Sequence, residues 1–414
     1  MYNFAKKIIV NGKVISQNGR TFFVYEVGSN HRNDYRTALK YIDHAAKIGA
    51  DTVKFQLFTA KELLNPITTG LQGTYDFLKK QQTPRWWYPK LIKYCKKRKI
   101  LFSATVQNVE DAKFLTNLGA KILKIASEDF NNYKLLYDIA CLGKIVIISS
   151  GMSTMEEVKH AVEAIKASGN KRVVILHTVS LYPANINDAN VRVIDLINKK
   201  FNILSGYSEN APGLLVPLAS AALGASVIEK HVSLERSIGD LDDIVSLTGE
   251  EYQEMIIKIR SMEKGFGKKR LAALSNLKKE YGRQLGIALG NGIKKPANNG
   301  VVKIHPGIKG KFLLTESMER VFLRHGVFPK RKIKKGHKIT GEDLFTPRPA
   351  IGISVGDYDK VIGTIAGEDI PVRSPLKLEG KRIKKMTIND LDSLIVEKDK
   401  KLIINMIKKT ALFK

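Results

Sequence analysis

The amino-acid sequence predicts an α/β protein: a (β/α)8 barrel of the TIM type followed by a small β-rich domain. Three observations predict it. Short β-branched or apolar runs alternate with amphipathic helical stretches from about residue 20 to residue 265. That alternation yields eight strands, each followed by a helix. The chain is 414 residues long, enough for a barrel of that count and one smaller domain.

The eight strands read as residues 21–27, 52–57, 101–105, 122–125, 145–149, 173–177, 203–207 and 227–231. Helical periodicity lies between them, as in residues 36–48, 108–118 and 154–167, the last opened by Ser153 and Glu156 at capping-box spacing. Barrel signals end near residue 265, which sets the first domain at 1–265. Residues 266–328 are rich in Gly and Lys with weak periodicity and read as a linker. Residues 329–385 carry short strands punctuated by turns and read as the β-rich domain, and 386–414 turn amphipathic and read as a helical tail.

Composition excludes several classes. With 43% hydrophobic and 26% charged residues the chain is neither disordered nor collagenous. No run approaches the roughly 18 apolar residues that span a bilayer, and the N-terminal residues lack the apolar core of a signal peptide. A cytoplasmic protein without a membrane partner is expected. Cys95 and Cys141 form no framework and read as reduced, buried thiols. The net charge of +29 is spread along the chain: 44 basic and 27 acidic residues in 1–300, 25 and 13 in 301–414. No finger spacing or aromatic run accompanies it, so no specific nucleic acid is expected; a lysine-rich surface would favour a small anionic substrate.

Barrel chemistry sits at the carboxyl ends of the strands. Those ends carry Glu26, Lys54, Thr105, Lys124, Ser149, His177 and His231, with Ser127, Asp129, Ser180, Tyr182, Ser208, Glu209 and Asn210 just beyond. Lysines inside strands at Lys54, Lys124 and Lys230 are costly unless they meet an anion or a carboxylate. Hydroxyls at Thr105, Ser127 and Ser149 suit phosphate oxygens.

The segments EVGSNHRND (26–34), GADTVKFQLF (49–58), KIASED (124–129), SSGMST (149–154), LHTVSLYPA (176–184), GYSEN (206–210) and GASVIEKHVSLERS (224–237) occur in the order found in the sialic acid synthase family, which the chain resembles. The segments KKGHKITGEDL, PRPAIGI and VIGTIAGEDI resemble the antifreeze-like (SAF, β-clip) domain that ends those synthases. The resemblance implies condensation of phosphoenolpyruvate with an N-acyl hexosamine of the N-acetylmannosamine type, giving a nine-carbon nonulosonic acid and phosphate. A pseudaminic or legionaminic acid synthase, or a non-catalytic sugar-binding paralogue, are the alternatives. By motif position Lys54, Thr105, Lys124, Ser127, Ser149, Ser180 and Ser208 would hold phosphoenolpyruvate. Tyr182 and Asp242 would contact the sugar, and Glu26 and Asp129 would handle protons or orient water. The resemblance further implies a domain-swapped homodimer in which Arg348 reaches the N-acyl group. A divalent cation, Mn²⁺ or Mg²⁺, is implied as cofactor. His231 is one expected ligand; the position of the second expected histidine holds Asn210, next to Glu209, and either could supply an oxygen instead. His31 and His177 are further candidates at the rim.

Overall fold

The computed structural model describes residues 2–64, 72–234, 242–263, 270–290, 301–303, 312–314, 316–387 and 389–390. An antiparallel hairpin comes first, β1 (Lys7–Val10) with β2 (Lys13–Ser16). Eight parallel strands follow: β3 (Phe22–Glu26), β4 (Thr52–Leu57), β5 (Leu101–Val106), β6 (Ile122–Ile125), β7 (Ile145–Ser149), β8 (Val173–His177), β9 (Leu204–Glu209) and β10 (Val227–Ser233). Neighbours pair in chain order and β10 pairs with both β9 and β3, so the sheet closes on itself. The helices that follow the strands are α1 (Tyr35–Lys47), α2 (Trp87–Lys97), α3 (Val109–Asn117), α4 (Tyr133–Cys141), α5 (Met155–Ala167), α6 (Val193–Phe201), α7 (Leu215–Ala222) and α8 (Gly249–Glu263). The expected (β/α)8 barrel is present.

Alternation along the strands sorts the side chains. One parity places Phe22, Val24, Leu101, Ile122, Ile145, Ile147, Val174, Leu176, Leu204 and Val227 in a single apolar cluster inside the barrel, closed by Ile8, Val10 and Ile15 of the hairpin. The other parity packs on the helices, as Phe23, Tyr25, Val53, Phe55, Leu123, Val146 and Ile228 do in the larger core. The apolar filling occupies the starts of the strands. Inward positions nearer their carboxyl ends are therefore where polar residues can gather.

Several local readings are corrected. The capping box of α5 is built by Thr154 and Glu157, not Ser153 and Glu156: Thr154 Oγ1 accepts from Glu157 N at 3.2 Å, and Glu157 Oε2 accepts from Thr154 N at 2.9 Å. Ser153 Oγ is instead donated to Gly151 O. Cys95 is buried as expected but Cys141, the last residue of α4, is exposed. Part of the expected linker is helical: α9 (Arg270–Tyr281) and α10 (Arg283–Ala288) bury Ala273, Leu277, Leu285 and Ala288 in the barrel's outer core. Lysine and glycine masked that apolar period.

The chain divides into two compact units, Met1–Leu57 with Thr83–Val301, and Phe58–Gln82 with Val302–Lys414. The second thus takes in a segment that the 1–265 boundary had placed with the barrel. Leu63 O accepts from Arg348 N at 3.0 Å, which ties that segment to the C-terminal residues. Its own core joins Val327, Ile333, Ile339, Leu344, Val361, Ile370, Leu376 and Ile383 around short strands, including Leu376–Glu379 paired with Arg382–Lys385. The expected helical tail falls beyond residue 390 and, like residues 65–71, lies outside the described residues. Among the described residues no helix is long and apolar enough to cross a membrane.

Candidate active site

Inward parity at the carboxyl ends selects Glu26, Lys54, Gln56, Thr105, Lys124, Ser149, Ser208, Glu229 and His231. Every one of them except Gln56 is buried. At their centre stands Glu229, which the strand-end reading missed. Its Oε1 lies 3.3 Å from Lys54 Nζ and 3.8 Å from Lys124 Nζ, and accepts from Ser208 Oγ at 3.1 Å. Lys54 also meets Glu26 Oε2 at 2.9 Å and donates to Thr105 Oγ1 at 3.1 Å. Gln56 donates to the other Glu26 oxygen at 2.8 Å. Lys124 donates to Ser149 Oγ at 2.7 Å and to Ile125 O at 3.1 Å.

The two lysines differ in their charge balance. Burial alone would lower Lys54, but Glu229 and Glu26 outweigh it and hold its pKa above the ordinary lysine value. Lys124 has the same burial but a more distant carboxylate and Lys54 as a cationic neighbour, so its pKa falls to about 8. Burial would raise Glu229, and Lys124 and Lys54 overcome it, keeping the carboxylate ionised.

A hydroxyl cluster adjoins Lys124. Gly151 N donates to Ser127 Oγ at 3.1 Å, and a Cβ on Gly151 would fall 2.0 Å from Ser180 Oγ and 2.8 Å from Ser127 Oγ. The glycine is what lets Ser127 and Ser180 converge. Replacing it in Gly151→Ala is expected to splay these hydroxyls, raising KM for an anionic substrate about tenfold. Overpacking of about 1–3 kcal/mol should appear in the melting temperature.

On the opposite side of the mouth, Gly28 has a φ of +55°, and a Cβ there would lie 2.3 Å from Asp242 Oδ2 and 3.0 Å from His231 Nδ1. Asp242 Oδ2 accepts from Ser29 N at 2.6 Å and from Ser29 Oγ at 2.7 Å, and its Oδ1 is 3.9 Å from His231 Nδ1. The Tyr182 ring stands edge-on to His231 with centroids 5.9 Å apart. Burial, then Asp242 and Glu128, push the Tyr182 phenol well above its ordinary value. Asp129 is buried in the short turn Ser127–Asp129 after β6.

Three expected residues are turned away by the same alternation. The register sets Ser208 against Glu229 and Glu209 against Lys230, so Glu209 and Lys230 face the helical layer. Lys230 Nζ donates to Ala211 O and Val245 O, joining the loops after β9 and β10, and burial pushes Glu209 up to about 7. Glu209 is therefore corrected as a metal ligand, and Lys230 as a rim lysine. His177 also faces outward, at 3.0 Å from Ala189 O, and His31 contacts Thr83 Oγ1 at 3.3 Å. Burial lowers both imidazoles to about 4, which keeps them neutral. Arg348 belongs to the second unit, where it is buried.

Among the described residues no group of three or more His, Cys, Asp or Glu is arranged to hold a metal ion. Two donors nonetheless stand side by side. Extending the β9–β10 register by one residue places Asn210 opposite His231. Asn210 Nδ2 donates to Val179 O at 2.8 Å, which leaves Oδ1 as its available donor atom, and His231 Nδ1 is buried without a hydrogen-bond partner. An imidazole nitrogen beside an amide oxygen, with Asp242 nearby, is a donor set that fits a hard divalent cation.

Fold and site together define a (β/α)8-barrel protein with a lysine–carboxylate mouth and an appended small β unit. Residues 41–271 match the NeuB family and residues 324–379 match the SAF domain. The chain belongs to the NeuB family. It is 31% identical to the N,N'-diacetyllegionaminic acid synthase of Campylobacter jejuni, an alignment covering 84% of this chain and 96% of that one. It is 30% identical to the pseudaminic acid synthase of the same organism, over 86% and 96%. The solved structure of the sialic acid synthetase of Leptospira borgpetersenii superposes with a TM-score of 0.60 at 31% identity, covering 64% of this chain and 91% of that one.

Proposed function

We propose that this protein is a nonulosonic acid synthase that condenses phosphoenolpyruvate with an N-acyl hexosamine, releasing phosphate. The observation that carries the reading is the buried Lys54–Glu229–Lys124 array beside the Ser127, Ser149 and Ser180 hydroxyls. Two buried cations ringed by hydroxyl donors match a small, multiply charged phosphate ester. The names of the relatives supply the class of acceptor.

In this reading Lys124 and the serine hydroxyls take the phosphate and Lys54 with Thr105 takes the carboxylate. Glu26, fixed by Gln56 and Lys54, is set to accept a proton from water adding at C2 of the enol. C3 attacks the sugar aldehyde, the new C–C bond forms, and phosphate leaves by C–O cleavage. Tyr182 and Asp242 hold sugar hydroxyls, and Ser208, whose hydroxyl donates to Glu229 at 3.1 Å, joins the residues that hold phosphoenolpyruvate. His231 and Asn210 would hold a Mn²⁺ or Mg²⁺ ion, whose chemistry is to polarise the aldehyde oxygen. Asp129 remains assigned to proton handling and Arg348 to the N-acyl group in a domain-swapped homodimer.

The test is phosphate release from phosphoenolpyruvate with a panel of N-acyl hexosamines, in Mn²⁺, in Mg²⁺ and after chelation. Sugar-dependent, chelator-sensitive release is expected. No release with any sugar, from a folded protein that still binds the hexosamine, would replace the synthase by a sugar-binding paralogue, the reading that Asn210 favours.

The same assay carries a pH prediction. Lys124 is protonated below about pH 8 and loses its charge above it. KM for phosphoenolpyruvate should therefore rise as pH increases through about 8. In Lys124→Arg that alkaline rise should vanish, because guanidinium keeps its proton.

A further inference from the structure

Although the net charge is spread along the whole chain, one face that the proposed chemistry does not use carries a run of outward cations almost free of acids. Helices α1 and α2 follow neighbouring barrel strands and run side by side. The Tyr35 ring packs 5.6 Å from Trp86 and 5.4 Å from Trp87, and two turns further along α1 Asp43 meets Tyr94 Oη and Arg98 Nε, each at 2.8 Å. Buried residues of α1 fall at Ala38, Tyr41, Ile42 and Ala45, which turns Arg36, Lys40 and Lys47 outward. Buried residues of α2 fall at Trp87, Tyr88, Leu91 and Cys95, which turns Lys90, Lys93 and Lys97 outward. All six are exposed, and residues 85–99 contain seven basic and no acidic residues. The one acid between the two stripes, Asp43, is already paired with Arg98. At one end of this field stands Trp86, 55% exposed, with Lys90 Nζ 4.5 Å from its ring centre.

We propose that this two-helix face docks the protein peripherally on a bilayer surface rich in anionic phospholipid. Charge complementarity sets the sign of the partner. The side chains choose among anions: five of the six cations are lysines, point charges suited to a diffuse field of headgroups, where a nucleic-acid surface would be expected to use forked arginines and several stacking aromatics. A single exposed indole beside lysines is the side chain that settles at headgroup depth. Docking of this kind requires no inserted helix, in keeping with apolar faces that are spent on the barrel core.

The experiment uses the full chain and co-sedimentation with two kinds of vesicle, phosphatidylcholine alone and phosphatidylcholine mixed in equal parts with phosphatidylglycerol. Binding to the mixed vesicles only is expected, with release by high salt. Each charge near such a surface strengthens binding roughly fivefold, so Lys90→Glu/Lys93→Glu/Lys97→Glu, which removes three attractive charges and adds three repulsive ones, should weaken it by at least about a hundredfold. A control reversing the dispersed exposed lysines Lys121, Lys166 and Lys200 should weaken it far less. On mixed vesicles the indole emission should shift to shorter wavelength in the native chain and not in Trp86→Phe, since Trp87 is buried. Equal losses in the face and control variants would overturn the proposal, as would binding of duplex DNA in place of vesicles. A change in oligomeric mass on reversing the face would overturn it too, by showing that a second copy covers these helices.

Discussion

Lys124→Ala should lose on the order of 10³ in kcat/KM for phosphoenolpyruvate while the barrel stays folded. Both halves of that expectation come from the same geometry. Lys124 Nζ reaches Ser149 Oγ at 2.7 Å and stands 3.8 Å from Glu229, so it neutralises the position where phosphate oxygens would meet the hydroxyl cluster. Without it an incoming phosphate faces Glu229 with one fewer cation among buried side chains. Stability responds differently. The folded-state pKa of Lys124 is about 8, below the ordinary lysine value, so its charge opposes folding below that pH and the penalty fades as pH rises from there toward the unfolded value. Truncation removes the penalty together with the packing of the stem. The two effects oppose, and the melting temperature at neutral pH should move by only a few degrees. Steady-state kinetics and a thermal melt on the same preparation check the pair. Near-normal kcat/KM would remove Lys124 from the site.

The barrel was legible because its periodicities are strong. Runs such as IVIIS and VVILH admit little but a strand buried on both faces, and the structure places β7 and β8 at the expected residues. The site is legible as a set of strand ends but not as a surface, because the end of a strand does not by itself say which way a side chain faces. Applying the period of two to VIEKH separates Glu229 and His231, which point inward, from Lys230, which does not. The same rule sorts Ser208 from Glu209, and Leu176 from His177. Glu229 was thus within reach of the sequence; its distances to two lysines from other strands were not. The helices at 270–288 escape for a different reason, since both are short and Lys278, Lys279, Gly282 and Gly286 interrupt their apolar period. The excursion at 58–82 escaped because membership of a compact unit depends on long-range contacts such as that of Arg348 with Leu63.

Glu229→Gln should be more damaging than Lys124→Ala, and in a way that separates the carboxylate's charge from its shape. Glutamine preserves the volume and can still accept from Ser208, so packing is nearly unchanged. What disappears is the anion 3.3 Å from Lys54 and 3.8 Å from Lys124. Lys54 keeps Glu26 at 2.9 Å, whereas Lys124 loses its leading counter-charge and its pKa must fall further below 8. Breaking one partner of a buried ion pair typically costs about 3–5 kcal/mol, and a loss in that range is expected in denaturant unfolding. Part of it is relieved if Lys124 sheds its proton, so the destabilisation should be greater at pH 6 than at pH 8. Turnover should fall by at least the 10³ expected for Lys124→Ala, with the alkaline limb of the phosphoenolpyruvate KM profile moved to lower pH. Adding Lys124→Met to Glu229→Gln should then restore most of the stability and none of the turnover. Restored turnover would mean that the pair serves the fold alone. Stability that stayed low would mean that Lys54, and not Lys124, is the cation that Glu229 chiefly compensates.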